Sequence, residues 1–272
     1  KVKIAISNIA WSRSEDDEIS KILFEFSIKA IEVAPTKLWD NPVSQTDESV
    51  QAYLNYWDKK DIDIIAMQSL LFGCPELTIF GGDDRKEATL RYLSKIINLG
   101  SKLGISVFVF GSPKNRQTMG LKKSKVMDIA INFFRLLGEL AYGNNAKFCI
   151  EPNSAVYGCD FICTTDEGIE LVKEIAHPGF RLHLDAGVMA LNNEEYEKSI
   201  ERAFEYMEHF HVSEPYLQKI GIGETNHIRI ANHLKKLNYD KWVSIEMRDG
   251  LGQSNQSVVS DSLGYVTEKY RI

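Results

Sequence analysis

A parallel α/β barrel of eight strand–helix units is the fold class this sequence predicts, and three observations predict it. Short apolar runs alternate with amphipathic stretches eight times along 272 residues, the pattern of a parallel sheet. No composition shift or low-complexity linker divides the chain, so one domain over residues 1–272 is expected. That length suits a closed (β/α)8 TIM barrel, which takes about 250 residues. An open doubly wound sheet is the rival, but no G-x-G-x-x-G follows the first strand.

Lys3 to Ser7 alternates as a strand, and Ser14 stands where it caps a helix through Ile19, Ile22, Leu23 and Phe26. Ala30 to Ala34 is the second strand, stopped by Pro35; Val50, Tyr53, Leu54 and Trp57 mark the next helix. Ile62 to Gln68 is strand three, followed by a glycine-rich loop and a helix closed by Gly104. Ile105 to Phe110 is strand four, ended by Gly111-Ser112-Pro113, with a helix from about Ser124 to Tyr142. Phe148 to Glu151 is strand five, and Thr164 with Glu167 forms a capping box for its helix. Phe180 to Asp185, Phe210 to Val212 and Trp242 to Glu246 are strands six to eight. Their helices cover Glu194 to about Glu205, the turn opened by Asn226, and the stretch through Val258, Leu263 and Val266.

Composition narrows the function classes. With 44% hydrophobic and 26% charged residues the chain reads as ordinary globular material. A formal charge of -6 argues against a nucleic-acid partner or an anionic membrane surface. No apolar run spans a bilayer, and the first residues read as a strand and not as a signal peptide. Cys74, Cys149, Cys159 and Cys163 contain no C-x-x-C pair, so reduced thiols and a cytoplasmic location are expected.

Barrels of this type carry their functional groups at the C-terminal strand ends. Four consecutive strands place Glu151, Asp185, His211 and Glu246 there. A lone strand-end carboxylate often does no more than cap the next helix, but four in succession by capping alone is a poor explanation. Three carboxylates and an imidazole suit one divalent ion, Mn²⁺, Mg²⁺, Co²⁺ or Zn²⁺, without choosing among them.

The contexts Ile150-Glu151-Pro152-Asn153, His183-Leu184-Asp185-Ala186-Gly187, Phe210-His211-Val212-Ser213-Glu214, Gly221-Ile222-Gly223-Glu224 and Ser244-Ile245-Glu246 carry a resemblance over nearly the whole chain. The sequence resembles the sugar isomerase/epimerase superfamily of xylose isomerase-like TIM barrels, which includes ketose 3-epimerases, hydroxypyruvate isomerase and inosose dehydratase. The resemblance implies a metal-dependent isomerase or epimerase of a small sugar or related hydroxycarbonyl compound. Its substrate would chelate the ion and pass through a metal-stabilised enediolate. Glu151 and Glu246 would be the acid/base pair on opposite faces of the reacting carbon. A keto-cyclitol or keto-sugar dehydratase is the alternative, and a non-catalytic metal-dependent sugar-binding protein is a further one. The family's habit of pairing leaves a homodimer open.

The departures from the family are specific. Ketose 3-epimerases hold substrate oxygens with a Glu, a His and an Arg where this chain has Tyr157, Val188 and Leu217. That argues against a free-ketose 3-epimerase and leaves the four ligands intact. Apurinic endonucleases of the same superfamily use three zinc ions, but Gln68, Val188, Glu224 and Asn226 stand where further ligands would be needed.

Other residues at the same mouth are candidates for holding substrate. Glu32 and Gln68 end strands two and three, Arg248 follows Glu246 by two, and Trp11, Asn153 and Glu214 lie in the adjoining loops. His183 and His209 precede their strands' ligands by two, so they face the same way one layer deeper. Lys114 and Arg116 read as solvated surface.

Overall fold

The computed structural model describes residues 2–271. Eight strands run in parallel: β1 (Lys3–Ser7), β2 (Ala30–Val33), β3 (Asp63–Met67), β4 (Val107–Phe110), β5 (Lys147–Ile150), β6 (Phe180–Asp185), β7 (Met207–Ser213) and β8 (Trp242–Glu246). They pair in chain order, and β8 closes onto β1. The expected barrel is the observed one. Among the described residues no helix is long and apolar enough to cross a membrane.

The strand pattern divides the side chains between two environments. Outward residues meet the helical ring; Phe110, Phe148 and Phe180 pack around Phe134 of the helix Lys123–Gly143, with ring centroids 5.5, 6.4 and 5.3 Å away. Gly179 lets that helix sit against the barrel, because a Cβ there would stand 2.0 Å from the Gly138 carbonyl oxygen. Inside, small residues fill one end: Ala5, Ala30, Ala66, Val107, Val109 and Cys149 form a separate apolar cluster. Toward the C-terminal ends the lining turns polar, and this is where the ionisable groups gather.

Two local expectations are corrected. The first helix is not capped by Ser14: Ser12 opens a 3-10 turn, Arg13–Glu15, with Glu15 accepting from the Ser12 N–H at 2.8 Å. The α-helix proper is Asp16–Glu25, so the box serves the turn that leads into it. A short helix not anticipated, Ala186–Leu191, starts directly on β6 because Asp185 Oδ1 accepts the Val188 N–H at 2.7 Å. The Thr164–Glu167 capping box and the Asn226 cap are formed as expected.

Candidate metal centre

Register builds the site. β6 and β7 pair with His183 beside His209 and Asp185 beside His211, after a shift between Leu182 and His183. β7 and β8 pair with His211 beside Ser244 and Ser213 beside Glu246. Glu151 follows β5 at once and donates its N–H to the Phe110 carbonyl at 3.0 Å. One ligand atom from each of Glu151, Asp185, His211 and Glu246 lies within 4.8 Å of all the others. His211 Nδ1 stands 3.2 Å from Glu246 Oε2 and 3.8 Å from both Glu151 Oε1 and Asp185 Oδ2.

The groups behind the quartet decide how it is presented. Glu32 is fully buried and accepts from His209 Nε2 at 2.8 Å and His211 Nε2 at 2.9 Å. A carboxylate only accepts, so both Nε2 atoms carry protons and His211 turns Nδ1 toward the three acids. Burial opposes the Glu32 charge, but His211 and His209 outweigh it and bring the carboxyl down to about 2. Asp185 is both a helix cap and a quartet member: its Oδ2 accepts from Ser213 Oγ at 2.6 Å while facing His211. Burial, then Glu246 and Glu151, push its carboxyl well up. Burial disfavours a charged His211, yet Glu32 and Glu246 hold its pKa well above the usual histidine range.

These residues fit a divalent cation. Three carboxylates are forced together in a buried place, and His211 Nδ1 has no hydrogen-bond partner. Such a set is repulsive by itself and is relieved by a positive ion between the acids. Oxygen donors with one imidazole nitrogen suit the first-row and magnesium ions named above.

Of the other anticipated residues, Asn153 is held against a carboxylate of the quartet, its Nδ2 donating to Glu151 Oε2 at 3.0 Å. His183 packs its ring edge against His211, centroids 4.1 Å apart, and neither of its nitrogens has a partner. Burial, then its two histidine neighbours, hold its pKa well below the usual value, so it is a neutral wedge. Arg248 is exposed, with no ion pair among the described residues.

Four expectations for direct substrate contact meet a different arrangement. Glu32 lies behind the quartet, as described. Glu214 is buried and used up by Gly221 N–H, Thr225 N–H and His227, which fold the loop after β7 around it. Gln68 spends its amide on Ser7 Oγ and Ser69 Oγ. Trp11 is buried and donates its indole N–H to Asp16 at 2.7 Å. Arg116 reverses expectation altogether: it is fully buried and donates to the Glu151 carbonyl at 2.8 Å. Tyr157, marked above only as a departure from the ketose 3-epimerases, accepts at its hydroxyl from the Tyr216 N–H at 2.8 Å while its ring meets that of Tyr216. A signal for Glu32 was present: a carboxylate flanked by Ile31 and Val33 in a wholly buried strand requires a partner.

Gly111 gives the carboxylate its room. A Cβ there would stand 2.2 Å from Glu151 Oε2 and 3.3 Å from Asn153 Nδ2. Gly111→Ala is expected to leave the melting profile nearly unchanged and to weaken Mn²⁺ or Co²⁺ affinity by about 10–100-fold, as displaced ligand supports do. Competition against a chelator measures this; unaltered affinity would show that Glu151 is not a ligand.

A closed barrel with its polar groups clustered at the C-terminal mouth defines a TIM-barrel protein with an enzyme-like site. The chain belongs to the xylose isomerase-like TIM barrel family, whose sequence profile matches residues 22–268. No functionally curated protein matches it by sequence. Among solved structures it is similar to a D-psicose 3-epimerase crystallised with D-fructose (TM-score 0.82, 16% identity, 99% of each chain covered). It is similar to a 3-keto-D-glucoside 4-epimerase from E. coli (0.79, 14%, 98% of this chain and 100% of that one). It is also similar to a probable 3-DHS dehydratase involved in petrobactin synthesis from Bacillus anthracis (0.74, 17%, 98% and 99%). At these identities the likeness speaks for the fold.

Proposed function

We propose that this chain is a divalent-metal-dependent isomerase or epimerase of a small sugar or related hydroxycarbonyl compound. The observation that carries the reading is the quartet: Glu151, Asp185, His211 and Glu246 present four ligand atoms within 4.8 Å at the open end of the barrel. Glu151, Asp185, His211 Nδ1 and Glu246 would hold the ion, which supplies Lewis-acid stabilisation of negative charge on substrate oxygens when bound. Glu151 and Glu246 leave different strands, so their carboxylates reach a bound carbon from different sides. One removes the proton next to the carbonyl and the other returns a proton to the opposite face, which inverts that centre. Asn153 holds the free oxygen of Glu151 and keeps its carboxylate aimed. In this reading Arg248, exposed two residues beyond Glu246, would meet an anionic or hydroxyl-rich end of the substrate.

The similar structures, two epimerases of keto-sugars and a dehydratase, support a polyol bearing a carbonyl as the substrate class. The dehydratase among them favours a second reading: the same proton removal followed by loss of a β-hydroxyl group. Incubation of Mn²⁺-loaded protein in D₂O with ketoses, aldoses, inososes and keto-acids, read by NMR and mass, tests both. Deuterium next to the carbonyl with unchanged composition supports the epimerase reading, and product lacking one water supports the dehydratase. Tight metal binding with no exchange from any compound of these classes removes both.

A further inference from the structure

The loop from Glu151 to the helix Thr165–Ile175 contains two thiols and lies over a buried cation from the segment after β4, and the proposed chemistry uses none of the three. Arg116 is fully buried, makes no ion pair among the described residues, and leaves Nε and Nη1 without partners. Its Nη2 meets three groups of that loop: the Glu151 carbonyl at 2.8 Å, Cys159 Sγ at 3.4 Å and the Ile162 carbonyl at 3.4 Å. A guanidinium stays charged at any pH a protein meets, and burying one without a counter-charge is costly. The group touching it that can become an anion is the Cys159 thiol. Cys163 is next to it, four residues along the chain: its thiol donates to the Cys159 carbonyl at 3.5 Å.

We propose that Cys159 and Cys163 form a peroxide-oxidisable dithiol whose closure into a disulfide disengages Arg116 from the segment carrying Glu151. As a thiol, Cys159 donates to the Phe161 carbonyl at 3.1 Å. As a thiolate it is met by the Arg116 guanidinium, whose Nη2 stands 3.4 Å from its sulfur. The neighbouring Cys163 thiol is the leading influence that brings Cys159 down to about 6, burial opposing it and the Arg116 charge assisting. The other cysteines lack this setting: Cys149 is buried in β5, where burial pushes its thiol well up, and Cys74 lies by Tyr92.

The chemistry balances with hydrogen peroxide as oxidant. The Cys159 thiolate attacks one peroxide oxygen, the O–O bond breaks, and a sulfenic acid and hydroxide result. Cys163 sulfur then attacks Cys159 sulfur, the S–S bond forms, and hydroxide leaves and takes up the Cys163 proton as water. Two thiols are oxidised and one peroxide becomes two waters. The thiolate that faced Arg116 is consumed, so the guanidinium loses the counter-charge that holds it under this loop, and with it its hold on the Glu151 carbonyl.

Thiol titration and peptide mass mapping of the full chain after brief hydrogen peroxide treatment test this without any metal. Two of the four thiols should be lost, with the Cys159–Cys163 peptide lighter by two hydrogens and restored by dithiothreitol. Cys163→Ser should instead stop at a trappable sulfenic acid on Cys159, and Cys159→Ser should lose the fast reaction. At pH 7 the wild-type rate should exceed that of an ordinary thiol, because more of Cys159 stands as thiolate, and it should rise less steeply with pH. Oxidised protein should then release Co²⁺ to a chelator more readily than reduced protein. Oxidation mapping to Cys74, or a rate that follows an ordinary thiol's pH profile, overturns the dithiol. A disulfide that forms while Co²⁺ affinity stays the same overturns the coupling to Glu151. Because the thiol readout needs no metal, it stands or falls apart from the proposed function.

Discussion

Replacing Glu246 by Gln is expected to slow deuterium exchange at the substrate carbon by about 10²–10⁴-fold, the usual worth of a positioned acid/base. Glu246 ends β8 with its backbone fixed opposite Ser213, and its Oε2 faces His211 Nδ1 at 3.2 Å. An amide oxygen retains some capacity to ligate a cation but cannot take up a proton at neutral pH. Glu246→Gln should therefore separate the two roles, with metal affinity reduced far less than exchange. Asp185→Asn is the matched control, because both Asp185 oxygens are engaged, by Ser213 and by the Val188 N–H, and it is not one of the proposed acid/base pair. It should lose metal affinity and exchange together. Calorimetric Mn²⁺ titration beside NMR exchange rates reads both variants. Undiminished exchange in Glu246→Gln would remove it from the acid/base pair.

Much of this arrangement was legible because a strand's side-chain period is two and chain order in a parallel barrel is spatial order. Those two rules are enough to bring Glu151, Asp185, His211 and Glu246 to one mouth, and to place His183 and His209 beneath. His211 shows the tolerance of the rule: β7 continues two residues past it, to Ser213, and the face is unchanged. What was not legible depends on contacts across the barrel. Glu32 meets His209 and His211 from the other side of the barrel, and nothing in the spacing of β2 announces those partners. Glu214 and Gln68 carry the right chemistry on the right loops, but backbone N–H groups and hydroxyls nearby consume it. Arg116 sits in a short polar loop of the kind that usually faces water, and burial came from the following loop folding over it. The Asp185 cap shows that the bland and the functional readings of a strand-end carboxylate can hold together. A carboxylate has two oxygens, and each can serve a different purpose.

The second large effect is expected at Glu32, which touches neither the ion's place nor substrate. Its Oε1 and Oε2 each accept one imidazole N–H in a fully buried setting. Glu32→Ala leaves two buried donors unsatisfied and breaks a buried charge pair, which costs about 3–5 kcal/mol. The variant should unfold at markedly lower urea. Glu32→Gln is the more informative change. Its amide oxygen satisfies one imidazole donor, but its NH₂ confronts the other, and two donors cannot bond. One histidine must then present a bare Nε2 and move its proton to Nδ1. Where that histidine is His211, the proton sits on the nitrogen facing Glu151, Asp185 and Glu246, and that nitrogen can no longer ligate. Metal affinity in Glu32→Gln should fall by about 10–100-fold, the usual effect of removing a ligand's orienting partner. Nitrogen-15 shifts of the imidazoles should report a changed tautomer in the folded, metal-free variant. A merely structural role for Glu32 would lower stability and leave both the tautomer and the chelator-competition curve of the folded protein as they are in the wild type. That outcome would detach the buried layer from the metal centre and leave His211 oriented by its packing against His183 alone.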